Sequence, residues 1–305
     1  MRTADFHDQG YVVVPGLLGT EEVAELRDEF MRMHERGPIP GHFTPTPQEP
    51  GGPYDILREF PRVMHPHQVN DVALRYLLDP RIAAILRELL GEEPIAAQSM
   101  FYFKPPGARG QALHQDNFYL RVEPGTCVAA WIAIDRVDRA NGGLEVVPGT
   151  HLMDLFCPEE ADTEVSFTRE YVPPPPGLER VPVDMNPGDV LFFNGSLVHG
   201  SEPNSTADRF RRSFICHYVG RSTERISSWY PTLTMAGERV GIAASTAAAR
   251  AGPRRRWGLT RPRGQTTALG AAHPAGSRGG HPPRRWRDGP SRGPSTGRCP
   301  DIAVS

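Results

Sequence analysis

Apolar positions change their period along this chain, and the change divides it into a helical and a stranded part. Tyr11-Val12-Val13-Val14, ahead of Pro15-Gly16, reads as a short strand and turn. Val23, Leu26, Phe30 and Met33 then recur at helical spacing, with Thr20 as the expected cap and Glu21 and Glu22 in the first turn. A second helical pattern runs from about Asn70 to Leu90 through Val72, Leu74, Leu77, Ile82, Ile85, Leu86 and Leu89. It is interrupted at Asp79-Pro80, where the ring removes a backbone donor. Residues 37–60, between the two patterns, are rich in Pro and Gly with Phe43, Tyr54 and Phe60 as anchors. A loop of that length predicts a lid over a site.

From about Ala96 the period becomes that of strands. Segments 97–104, 111–116, 127–135, 144–147, 180–184, 189–193 and 211–219 are short and rich in Val, Ile, Phe and Tyr. Pro105-Pro106-Gly107, Asn141-Gly142-Gly143, Pro148-Gly149 and Asn186-Pro187-Gly188-Asp189 supply the turns between them. The pattern predicts a mainly β fold, a sandwich or barrel, with flanking α-helices covering one side. Pro173 to Pro176 read as an extended surface connector, and no internal repeat is visible.

Composition changes this picture at one end. The formal net charge of −2 conceals twelve Arg and two acids in residues 250–305, a tail charge of +10 that leaves −12 on the preceding 249 residues. A tail so rich in Arg, Pro and Gly cannot build a core, so the expected organisation is one domain over 1–245, with helices in 20–91 and a β core over 96–220. The tail over 246–305 is expected to be disordered or the product of a shifted reading frame. With no apolar run of spanning length and no apolar signal core after Met1, the reading is a soluble cytoplasmic protein that binds no membrane. The four cysteines, Cys127, Cys157, Cys216 and Cys299, show no paired spacing. Cys127 and Cys216 fall in apolar runs, as buried inert thiols do.

The chemistry concentrates in Leu113-His114-Gln115-Asp116, Val198-His199-Gly200 and Phe210-Arg211-Arg212-Ser213. On a strand, His114 and Asp116 would share a face and Gln115 would point away, and His199 would arrive from a later strand that follows Pro187-Gly188-Asp189. Two histidines and one carboxylate on one side of an ion leave the other side open, as in non-haem Fe(II) oxygenases. Arg211 and Ser213 share a strand face with Ile215 and His217, and a guanidinium fork beside a hydroxyl is a receptor for a distal carboxylate. Such a pair suits 2-oxoglutarate, whose other end would chelate iron.

Ala112 to Asp116, Ala130-Trp131-Ile132-Ala133-Ile134-Asp135, Asn141-Gly142-Gly143-Leu144, Val147-Pro148-Gly149-Thr150-His151, Pro187-Gly188-Asp189, His199-Gly200-Ser201 and Phe210-Arg211 together resemble the phytanoyl-CoA dioxygenase family of Fe(II)/2-oxoglutarate-dependent dioxygenases. The resemblance implies a double-stranded β-helix core, jelly-roll and cupin-like. It implies His114, Asp116 and His199 as iron ligands and Arg211 as the 2-oxoglutarate anchor, assisted by Ser213, with O2 as oxidant. Arg209 and Arg212 compete for the anchor role, and Arg211 is preferred because it follows Phe210 as in the family. Tyr102 and Trp131 are implied as neighbours of 2-oxoglutarate, and Gln98 as a neighbour of it or of the substrate. Met100, Asn117, Phe118 and Tyr119 are candidates for the substrate pocket. The carboxylate of Asp116 favours hydroxylation over halogenation, since related halogenating enzymes carry a small residue there.

The expected reaction is hydroxylation of a small-molecule metabolite or natural-product intermediate with release of succinate and CO2. Lys104 is the sole lysine and the first 249 residues are acidic, so a polyphosphorylated CoA thioester is not the obvious cargo, and a cationic or neutral metabolite fits the charge at least as well. Two alternatives are an oxygenase that uses the basic tail to act on nucleic acid, and a cupin-like protein that binds metal without turnover. No nucleic-acid partner is expected, and nothing specifies the oligomeric state. His65 and His67 form a second i, i+2 pair, but Pro66 disfavours a central strand and no third ligand follows nearby. His151 is expected to orient a turn, and His217 to be a satisfied inner-face histidine beside the 2-oxoglutarate pocket.

Overall fold

Nearly every residue of the central strands is buried, because the sheet they form is covered on both faces. In the computed structural model, which describes residues 3–245, these strands are β1 (Tyr11–Val14), β2 (Pro94–Tyr102), β3 (Gln111–His114), β4 (Val128–Ala133), β5 (Leu144–Val147), β6 (Val181–Pro182), β7 (Val190–Asn194), β8 (Val198–Ser201) and β9 (Ser213–Gly220). The larger sheet runs β1-β7-β4-β9-β2 and is extended beyond β2 by the short strands Thr232–Thr234 and Arg239–Val240, while Val63–Met64 also pairs with β2. The smaller sheet runs β3-β8-β5-β6. Facing antiparallel sheets of this order make the jelly-roll core of a double-stranded β-helix.

Alternation sorts the side chains. From β4, β7 and β9, Ala130, Ile132, Val190, Phe192, Phe214, Cys216 and Tyr218 join a core with the helices, whereas Trp131, Leu191, Phe193 and Ile215 face the smaller sheet and meet Leu144 and Val146. Four helices cover the outer face: α1 (Thr3–Gln9), α2 (Thr20–Arg36), α3 (Asp71–Leu77) and α4 (Pro80–Leu90). Phe30 of α2 is fully buried and stacks on Phe101 with ring centroids 3.9 Å apart, which locks the helix to the sheet. Among the described residues no helix is long and apolar enough to cross a membrane.

Boundaries differ from the sequence reading for local reasons. Thr20 opens α2, and the cap is Gly19, whose N–H donates to the Glu22 carboxylate at 2.8 Å. The second helical pattern is two helices, because Asn70 and Asp79 each accept from a backbone N–H of the helix that follows them. β9 starts at Ser213 because the N–H groups of Arg211 and Arg212 donate elsewhere, to the Lys104 carbonyl and the Asp135 carboxylate. The 180–184 segment contracts to an exposed two-residue edge strand, β6. Burial pushes the Cys216 thiol pKa up, in keeping with an inert core residue, and Cys127 is buried too. The basic stretch 246–305 lies outside the described residues.

Replacing Phe30 by Ala removes the ring that seats α2 and leaves a cavity, at a cost of about 3–5 kcal/mol. The expected outcome is a clear fall in the urea midpoint with unchanged m-value; a midpoint within error of the parent would contradict this packing role.

Candidate active site

His114 and His199 are register partners across β3 and β8, so their rings meet on the inner side of the smaller sheet with centroids 4.3 Å apart. The two rings are held in the same way. The Nδ1 of His114 lies 2.8 Å from the Ala112 carbonyl and that of His199 lies 3.0 Å from the Leu197 carbonyl, so Nδ1 carries the proton and Nε2 offers a lone pair. His114 Nε2 lies 3.1 Å from the Gln111 side-chain amide nitrogen, and the Asp116 carboxylate oxygens lie 3.4 Å from His114 Nε2 and 3.7 Å from His199 Nε2. One atom from each of the three residues falls within 4.8 Å of the others, a spacing that can hold one metal ion.

Asp116 reaches this point by a different route from the one its spacing suggests. β3 ends at His114, and Asp116 has helical backbone angles at the head of a single turn, Asn117–Leu120. Gln115 does point away, donating to the Ser196 carbonyl at 2.7 Å and accepting from Phe156 N–H at 2.8 Å. Behind the carboxylate, His217 Nε2 sits 2.9 Å from Asp116 Oδ2 and orients it, a contact the sequence reading missed. Burial would raise the Asp116 carboxyl, but His199, His217 and His114 outweigh it and hold it well below the usual carboxylate range. Burial also pushes His199 down to about 4, which keeps the imidazole neutral at pH 7, the form that can bind a metal.

Arg211 lies at another wall of the same cavity. Its Nη1 donates to Ser213 Oγ at 2.9 Å, its Nε to the Gly142 carbonyl at 3.1 Å, and its guanidinium lies 5.3 Å from the centroid of Trp131. No carboxylate of the described residues pairs with it; burial pushes its pKa down to about 10, still charged at neutral pH. Its two rivals are engaged, Arg209 with Asp138 and Arg212 with Asp135. The Asn-Gly-Gly turn supports this wall. Asn141 Nδ2 donates to the Arg136 and Phe210 carbonyls, and at Gly142 (φ +73°) a Cβ would fall 2.5 Å from Lys104 Cε. Lys104 is buried and donates to Ser201 Oγ at 2.8 Å and to the Glu202 carbonyl. Burial and the neighbouring Arg211 hold its pKa well below the usual lysine range.

The cavity has a volume of about 760 Å3 and is lined by His114, Asp116, His199, Arg211, Tyr102, Trp131, Gln98 and Met100, as the sequence reading expected. Ser213 acts from behind, through Arg211. Asn117 and Phe118 do not line it: the Asn117 side chain accepts from Val122 N–H and donates to the Gly125 carbonyl, and Phe118 is buried against Tyr119. The segment 37–60 is not a lid over this cavity. None of it contributes to the lining; Phe43 is buried, and Phe60 stacks on His34. The outer walls come instead from Arg62, Tyr119, Phe167 to Glu170, and Trp229-Tyr230. Of these, only Tyr119 had a sequence signal, its position beside the metal motif. Ser201, two residues after His199 on β8, also lines the cavity and was legible by strand alternation.

His65 and His67 are buried with their rings 5.7 Å apart, and His67 Nδ1 lies 2.7 Å from Ser99 Oγ. His151 does hold a turn, through the His7 carbonyl at 3.0 Å.

Residues 6–213 match the phytanoyl-CoA dioxygenase (PhyH) family. The chain belongs to this family. It is 28% identical over 234 residues to the peroxisomal phytanoyl-CoA dioxygenase of Rattus norvegicus, an alignment that covers 73% of this chain and 68% of the rat protein. It is 33% identical over 165 residues to a probable phytanoyl-CoA dioxygenase of Caenorhabditis elegans, covering 49% of this chain and 51% of the nematode protein. Among solved structures it resembles the epimerase SnoN in complex with Fe3+, alpha ketoglutarate and nogalamycin RO, at 26% identity and a TM-score of 0.57, over 73% of this chain and 83% of that one. Family and neighbour together make this phytanoyl-CoA dioxygenase relative an oxygenase dependent on iron and 2-oxoglutarate.

Removing the group that orients a ligand weakens a metal site by about 10–100-fold. His217→Ala is therefore expected to weaken anaerobic Fe(II) binding by that factor while the thermal midpoint without metal changes little; unaltered affinity would remove His217 from the site. A second expectation concerns pH. Burial pushes His65 and His67 down to about 4, so the unfolded chain binds more protons than the folded one between that value and the ordinary histidine value near 6.5. Stability contributed by the neutral rings is present above about 6.5 and is lost as pH falls toward 4. Denaturant midpoints measured across this window should decline, and less steeply in a His65→Phe variant.

Proposed function

We propose that this chain hydroxylates a small-molecule metabolite or natural-product intermediate, with His114, Asp116 and His199 as iron ligands and Arg211 as the anchor for 2-oxoglutarate. The observation that carries the reading is that a two-histidine, one-carboxylate cluster and a buried arginine without a carboxylate partner among the described residues line one cavity. Bound Fe(II), with 2-oxoglutarate and O2, supplies the oxidising chemistry: one oxygen atom goes to the substrate and the other to succinate, with CO2 released.

The residues of the chain account for everything around that centre. His114 and His199 present neutral Nε2 atoms because their Nδ1 protons are committed to backbone carbonyls. Asp116 stays ionised and is fixed by His217. Arg211, aimed by Ser213 and Gly142, receives the distal carboxylate of 2-oxoglutarate; Trp131 and Tyr102 shield that end from water. The intact Arg211–Ser213 pair argues against a metal-binding protein without turnover. The nogalamycin compound bound by SnoN is a small molecule, and a cavity of about 760 Å3 supports the same class of substrate here.

Succinate formation from 2-oxoglutarate should require Fe(II) and vanish in Asp116→Ala; full turnover in that variant would sink the assignment. Loss of one charge-assisted contact, about 1.5–3 kcal/mol, predicts a rise of about 10–150-fold in the KM for 2-oxoglutarate in Arg211→Met.

A further inference from the structure

The charge lining the cavity is opposite in sign to the charge of the first 249 residues. Arg62, Arg121, Arg169 and Arg211 line it against only Asp116 and Glu170. Iron as a dication and 2-oxoglutarate as a dianion would cancel, and Arg211 and Asp116 are used by them. Arg62, Arg121 and Arg169 then remain against Glu170. None of these three arginines pairs with a carboxylate among the described residues, although the protein's other surfaces hold many such pairs.

Arg121 is the most constrained of the three. It closes the single helical turn that Asp116 opens, five residues beyond that ligand, and its backbone is left-handed (φ 54°, ψ 45°) without being glycine. A non-glycine residue held in that region costs of order 1 kcal/mol or more and persists where the surroundings impose it. Its Nε is buried and has no hydrogen-bond partner. Arg62 makes only a long contact, 3.4 Å to the Tyr102 hydroxyl, and lies 5.8 Å from the Phe167 centroid. Arg62, Arg121 and Tyr230 all line this one cavity. Trp229, 62% exposed beside it, offers an apolar face at the same wall.

Building on the oxygenase reading, we propose that the primary substrate is an organic oxyanion, a carboxylate or phosphate ester with an apolar body, whose charged end docks on Arg121 with Arg62 as the second cation. A planar fork that lines the cavity and has no carboxylate partner among the described residues is suited to bidentate capture of such a group through its terminal N–H groups. This assignment runs against the expectation drawn from net charge, because the cavity and not the outer surface meets the substrate. Trp229 and Phe167 would cover the apolar body, and the anion would sit apart from Arg211, which 2-oxoglutarate occupies.

The test uses the full chain loaded anaerobically with Fe(II) and saturating 2-oxoglutarate, titrated by calorimetry with phenylacetate, phenyl phosphate and phenylacetamide. The expected result is that at least one oxyanion binds about tenfold or more tightly than the neutral amide, the size of one charge-assisted hydrogen bond. Arg121→Gln should abolish that preference, and Arg121→Lys, which keeps the charge but not the fork, should retain part of it. The phosphate and carboxylate arms identify which oxyanion the site prefers. Equal binding of acid and amide, no saturable binding of either oxyanion, or a preference that survives in Arg121→Gln would overturn the proposal. Should Arg121→Gln fail to fold, the wild-type comparison and Arg121→Lys still decide. If 2-oxoglutarate itself fails to bind the Fe(II)-loaded parent, the oxygenase reading falls first; if it binds and the probes do not discriminate, only the oxyanion site falls.

Discussion

The close approach of β3 and β8 is the constraint on which the site depends. His199 faces His114 across this pair, and the residue after it is Gly200, where a Cβ would fall 2.8 Å from the Gln111 carbonyl oxygen and 3.0 Å from Leu113 Cα. Gly110 meets the same limit from the other side, with a Cβ position 2.1 Å from the Ser201 carbonyl oxygen. A side chain at either position would push the strands apart and separate the two imidazoles. The pairing also sets the direction of each ring, because the carbonyls that accept from Nδ1 belong to Ala112 in β3 and to Leu197 immediately before β8. Metal affinity in such a site is therefore a property of backbone packing as much as of ligand identity.

A second constraint is electrostatic. Arg211 and Lys104 are both buried without a salt-bridged carboxylate among the described residues, a combination that ordinary cores avoid. Neutral oxygens satisfy them in part: Ser213 and the Gly142 carbonyl for Arg211, Ser201 and the Glu202 carbonyl for Lys104. These contacts position both side chains without neutralising the guanidinium of Arg211. An anionic co-substrate that enters this end of the cavity finds donors already oriented, so little reorganisation opposes its binding.

Much of this was legible in the chain, and the reason differs from residue to residue. His199 and Ser201 follow from strand alternation once the strands are placed, and Trp131 follows in the same way from β4; Arg211 reaches the cavity from just before β9, so the strand face expected for it with Ser213 was the wrong cause. Asp116 was identified correctly as a partner of His114, yet the shared strand face was the wrong cause, since the chain turns into a helix between them. The i, i+2 spacing puts the carboxylate near the imidazole in either geometry. His217 could be placed on the inner face, but its bond to Asp116 spans 101 residues and no local pattern encodes it. The loop over 37–60 was misjudged as a lid because length and composition report mobility and not direction; Phe43 packs on the helical side, and Leu57 and Phe60 line a smaller pocket beside Arg211 and Tyr102. Asn117 failed as a pocket residue for a related reason. Short polar side chains after a ligand often bond their own turn, as this one does.

β9 shows why polar inner-face residues are informative in a sheet buried on both sides. Phe214, Cys216 and Tyr218 point to the helices, and Ser213, Ile215 and His217 point between the sheets, all of them buried. The outer set is apolar except for one phenol, whose hydroxyl donates to the Leu77 carbonyl. The inner set holds a hydroxyl that accepts a hydrogen bond from a guanidinium and an imidazole that bonds the Asp116 carboxylate. Burying such groups is unfavourable unless each finds a partner, so their presence on one face of one strand requires a polar site opposite. Along β9, stability selects the face toward the helices and chemistry selects the other.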